Sequence, residues 1–96
     1  MSTMTHAEIE DAIASARETR KAAIAAANAE RDARIAAANA ERNARIAARP
    51  ADTNIAIEAS WIEFAEAWVQ FSARLAEIWE AYESAVQAVW AAYDSR

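Results

Sequence analysis

Apolar residues return every eleven positions along most of this chain. Ile24 opens Ile-Ala-Ala-Ala-Asn-Ala-Glu-Arg-Asp-Ala-Arg, and the copy that opens at Ile35 keeps ten of those eleven residues. Ile13 stands one repeat earlier, and Ile46 begins a further copy. Eleven residues over three turns is about 3.67 per turn, so the pattern predicts α-helix that packs straight or with a slight right-handed twist. The spacing continues past Pro50. Ile57, Trp68, Trp79 and Trp90 form one line; Phe71, Tyr82 and Tyr93 form a second; Phe64, Leu75 and Val86 a third; Ala67, Ile78 and Val89 a fourth. On a helical projection the four lines share one face about 100° wide, the width of an amphipathic stripe. Glu58, Glu63, Glu66, Glu77 and Glu80 fall outside it.

The first half is built differently. Each repeat supplies one isoleucine and otherwise alanine, the residue with the strongest intrinsic helix preference. Asn28 and Asn39 flank the isoleucine line on one side, and Arg20, Arg31 and Arg42 on the other. Asn28, Asn39, Arg31 and Arg42 are candidate polar residues for fixing register, as a polar core position does in coiled coils. The far face is nearly all alanine, from Ala22 through Ala25, Ala29, Ala33, Ala36, Ala40 and Ala44 to Ala48. A face so smooth lets a second helix approach closely. Glu30 with Arg34, and Glu41 with Arg45, have the favourable i,i+4 order within the helix.

Pro50 is the one strong break. Proline disfavours helix at the residue before it and removes a backbone donor. Asp52, Thr53 and Asn54 follow as candidate N-caps. The expected organisation is one all-α domain over 1–96, with a helix at about 6–48, a loop at about 49–53 and a helix at about 54–94. A loop that short fits an antiparallel hairpin. Folding between Ala51 and Asp52 sets Ile46 against Ile57, Ile35 against Trp68, Ile24 against Trp79 and Ile13 against Trp90. These layers would lie about 16 Å apart at 1.5 Å per residue. The alternative is one long rod-like helix kinked at Pro50, which the unbroken register would also suit. In the hairpin, the packing set is Ile13, Ile24, Ile35, Ile46, Ile57, Phe64, Trp68, Phe71, Leu75, Ile78, Trp79, Tyr82, Val86, Val89, Trp90 and Tyr93.

Composition narrows the chemistry. The 96 residues include 30 alanines, no glycine and no cysteine. Glycine-rich phosphate loops, tight hairpin turns, disulfides and thiolate chemistry are therefore not expected. The formal charge of −5 is uneven. Residues 17–49 hold eight basic and four acidic groups, whereas residues 51–96 hold eight acidic groups against Arg74 and Arg96. Such asymmetry draws the two halves together and opposes nucleic-acid binding, which needs a basic face. His6 is the sole histidine, and Glu77, Glu80 and Glu83 at i,i+3 lack the histidines of a di-metal bundle. No catalytic residue, metal or cofactor is expected, and no enzyme activity. The N-terminus has neither a basic region nor an apolar run of a leader, and no apolar stretch is long enough to span a membrane.

A lone hairpin leaves much of this apolar surface open, so assembly into a homo-oligomeric bundle, ring or filament is the expected outcome. The expected function is structural, in a cytoplasmic or virion setting. The alternatives are an adaptor or chaperone that binds a partner helix through the aromatic or alanine face, and a peripheral lipid-binding helix. The acidic polar face disfavours the last.

Overall fold

The first helix starts on a reciprocal cap. The Glu8 amide donates to the Thr5 hydroxyl at 3.1 Å, and the Thr5 amide donates to Glu8 Oε1 at 3.3 Å. This Thr-x-x-Glu box satisfies two of the donors that a helix start leaves open. In the computed structural model, which describes residues 4–94, α1 then runs without interruption from His6 to Ala48. A second helix, α2, runs Thr53–Asp94. The two helices pack against each other as a helical hairpin, and no strand occurs among the described residues. The ends of the expected single domain, residues 1–3, 95 and 96, lie outside them.

The reversal is shorter than the expected loop. Arg49 alone is extended, at φ −150 and ψ 93, which is where proline pushes the residue before it. Pro50–Asp52 form one 3-10 turn, closed by the Asp52 amide donating to the Arg49 carbonyl at 2.9 Å. Helix α2 follows directly at Thr53, one residue before the predicted start. The capping candidates are used differently from expectation. The Thr53 hydroxyl donates backward to the Pro50 carbonyl at 2.6 Å, and Asp52 pairs with Arg49 at 3.7 Å. No described residue has positive φ and no peptide is cis. Among the described residues this glycine-free chain therefore meets no backbone position that would need one.

The contacts divide the chain into two compact units. One joins Met1–Ala25 with Leu75–Arg96, and its buried apolar residues are Ile9 and Ile78. The other is Ala26–Arg74, which includes the turn. Its buried apolar residues are all alanines: Ala27, Ala38, Ala56 and Ala67. Alanine at such buried points has no bulk to hold a neighbouring helix away. Ser60, also buried, donates its hydroxyl to the Ile57 carbonyl at 2.7 Å. That bond removes the cost of burying an unpaired hydroxyl.

Candidate functional site

The best-defined side-chain geometry is a clamp of one arginine on two rings. On α2, Trp68 and Phe71 are three residues apart and so share a helix face. Their rings meet edge to face, with centroids 5.8 Å apart and planes at 89°. That arrangement sets the positive edge of one ring against the negative face of the other. The Arg31 guanidinium comes across from α1, its Cζ 4.5 Å from the Trp68 centroid and 4.4 Å from that of Phe71. Arg31 also donates from Nη2 to Asp32 Oδ1 at 3.0 Å. The side chain is 16% exposed, and its charge stays paired.

The other unit holds an equivalent clamp. Trp79 and Tyr82 lie edge to face at 5.9 Å, and Arg20 Cζ sits 4.6 Å from the first ring and 4.2 Å from the second. Arg20 and Arg31 are eleven residues apart, as are Trp68 and Trp79. A third ring pair, Trp90 with Tyr93 at 5.8 Å, repeats the edge-to-face geometry. Eleven residues before Arg20 stands Ile9 in place of an arginine, and it is buried.

Arg34 supplies the polar rim in the Ala26–Arg74 unit. Its Nη2 lies 3.7 Å from Glu63 and 3.9 Å from Glu66, and it donates to the Gln70 side-chain carbonyl. The sequence pairs Arg34 with Glu30 within α1, but the guanidinium reaches across to α2. Nearby, Arg42 and Arg45 line a small cavity of about 90 Å³ with Glu41, Glu63, Ala38, Ala56, Ala59 and Ser60. Two cations and two carboxylates balance there, and the Ser60 hydroxyl is already committed.

The predicted packing residues separate by depth. Ile78 is buried. Ile13, Ile24, Ile35, Ile46, Ile57, Phe64, Phe71, Leu75, Tyr82, Val86, Val89 and Tyr93 are half-buried, as are Asn28, Asn39, Arg31 and Arg42. Trp68, Trp79 and Trp90 remain 46–50% exposed, so the tryptophan line borders the contact face. The rings of Trp68 and Trp79 meet the arginine one helical turn before the isoleucine expected opposite each. Sequence reasoning passed over the buried Ala27, Ala38 and Ile9, although the first two repeat at eleven residues within the isoleucine stripe. It also passed over Ile55, Ile62 and Val69, which are 55–69% exposed on α2 and recur every seven residues. The alanines of the far face of α1, from Ala22 to Ala48, are exposed as expected.

His6 is exposed, with Nε2 3.0 Å from Glu10 one turn on. Among the described residues no group of three or more metal-ligating side chains converges, Glu77, Glu80 and Glu83 included. No helix among the described residues is long and apolar enough to cross a membrane. Compared with known proteins, the chain matches no family model, none of the curated sequences and none of the solved structures.

Proposed function

We propose that this chain is a non-enzymatic structural protein that assembles with copies of itself into a helical coiled-coil bundle, with the eleven-residue repeat setting helix register. One observation carries the reading: seven large apolar side chains lie exposed, while most of the fully buried ones are small. Ile55, Trp61, Ile62, Trp68, Val69, Trp79 and Trp90 are all 46% exposed or more, against a core of four alanines and two isoleucines. A small chain with so modest a core gains stability by covering its remaining apolar surface. Contiguous apolar patches beyond a few hundred Å² mark interaction sites. The paired clamps support the register, because an arginine shifted by one residue on α1 would leave its rings.

Size-exclusion chromatography with light scattering tests the proposal. An oligomer that persists on dilution is expected. A monomer at every concentration would overturn it.

A further inference from the structure

We infer that α2 carries a self-complementary patch centred on Ala65, through which two copies of the chain pair antiparallel about a two-fold axis. The inference rests on the assembly reading and names the surface that one of its contacts uses. Trp61 and Ile62 lie four and three residues before Ala65, and Trp68 and Val69 lie three and four after it. On a helix those offsets place the tryptophans along one side of Ala65 and the aliphatics along the other. All four are exposed, Val69 the most at 69%. Ala65 is exposed between them and offers no bulk to hold a second backbone away.

A two-fold axis through Ala65, perpendicular to the helix, keeps each side facing its own kind. Trp61 meets Trp68 of the second copy, Ile62 meets its Val69, and Ala65 meets Ala65. Glu58 then lies beside Ser72 of the second copy, whose hydroxyl is a donor for the carboxylate. Both residues are exposed. A parallel pair would instead stack Glu58 on Glu58. Along the aliphatic edge the two Glu66 side chains approach, and each has Arg34 of its own chain 3.9 Å away to offset its charge.

The area is adequate. The four large side chains, half to two-thirds exposed, present on the order of 500 Å² per copy, counting an aromatic side chain at ~150–250 Å². Covering all of it in a symmetric pair would bury at most roughly 1,000 Å², which reaches the lower bound for a specific interface. A closed two-fold contact is also the commonest way for one chain to associate with itself.

The 96 residues include no cysteine, so Ala65→Cys introduces a single thiol into the chain. Under mild oxidation it is expected to form a covalent dimer at least tenfold faster than Ala40→Cys on the exposed face of α1. Ile62→Asp and Val69→Asp, both at exposed positions, should weaken association at least tenfold by light scattering, with helical circular dichroism unchanged. Ala40→Asp should leave association as it is. An oligomer whose Ala65→Cys variant crosslinks no faster than Ala40→Cys, and which tolerates both aspartates, overturns this patch while self-assembly stands. A protein monomeric at every concentration overturns both.

Discussion

Arg31 illustrates how one side chain joins two helices by several weak means. Its guanidinium covers two rings, and Asp32 pairs with its charge. Only 16% of the side chain is exposed, so water screens the ring contact less than it would on an open surface. Arg31→Ala is expected to destabilise the hairpin by about 1–2 kcal/mol in urea unfolding. A double-mutant cycle with Trp68→Leu should show coupling of at least ~0.5 kcal/mol; additive effects would mean that the stacking contributes nothing. Trp79→Ala tests the border position of the tryptophan line. A buried tryptophan would cost ~3–5 kcal/mol on truncation, whereas half exposure lowers the expected cost to about 2 kcal/mol. The eleven-residue spacing made the arginine line and the aromatic lines plain. It did not show that guanidinium groups meet the tryptophans, because a projection gives the direction of a side chain and not its reach. A long cationic stem bridges to a ring that an isoleucine one turn away would also face.

At the scale of the helices, alanine plays two parts that sequence alone does not separate. Ala67 is 2% exposed at the contact, whereas Ala40 is exposed on the outer face. Ala67→Leu should cost about 1–3 kcal/mol, because close backbones leave no room for the added carbons. Ala40→Leu should stay within about 0.5 kcal/mol. Thermal or chemical unfolding of the two variants checks the contrast; equal effects would place the contact elsewhere. Charge sorts in the same way. The basic surplus of residues 17–49 corresponds to Arg20, Arg31, Arg34 and Arg42, all half-buried. The other four cations, Arg17, Lys21, Arg45 and Arg49, are exposed, as are Glu18, Glu30, Asp32 and Glu41, of which Asp32 pairs with Arg31. Both helices and the turn at Pro50 were legible, since proline and the period mark them directly. The start of α2 was not, because Thr53 bonds back to the 3-10 turn. The outward Ile55, Ile62 and Val69 were hidden by a seven-residue spacing within a chain dominated by eleven.

For the molecule as a whole, the ion pairs of Arg34 with Glu63 and Glu66 between the helices are long and partly exposed, and such pairs contribute little. Raising sodium chloride from low concentration to about 1 M should therefore change unfolding free energy by less than about 1 kcal/mol; a larger loss would mean that charge, and not packing, holds the hairpin. Assembly makes a separate prediction. If the folded chains associate and the unfolded ones do not, the melting temperature rises with protein concentration. A melting temperature fixed over a hundredfold dilution would contradict the proposed oligomer.

The two clamps also act as a ruler for the chain. Arg20 and Arg31 are one repeat apart on α1, and their rings are one repeat apart on α2 in the reverse direction. Removing a repeat from one arm alone would leave some residues of the other arm without counterparts. Removing eleven residues from both arms at matching distances from Pro50 would keep each surviving arginine over its rings. Between the turn and the clamps, changes in length must therefore be matched on both helices and keep the helical phase, as a paired step of the repeat does.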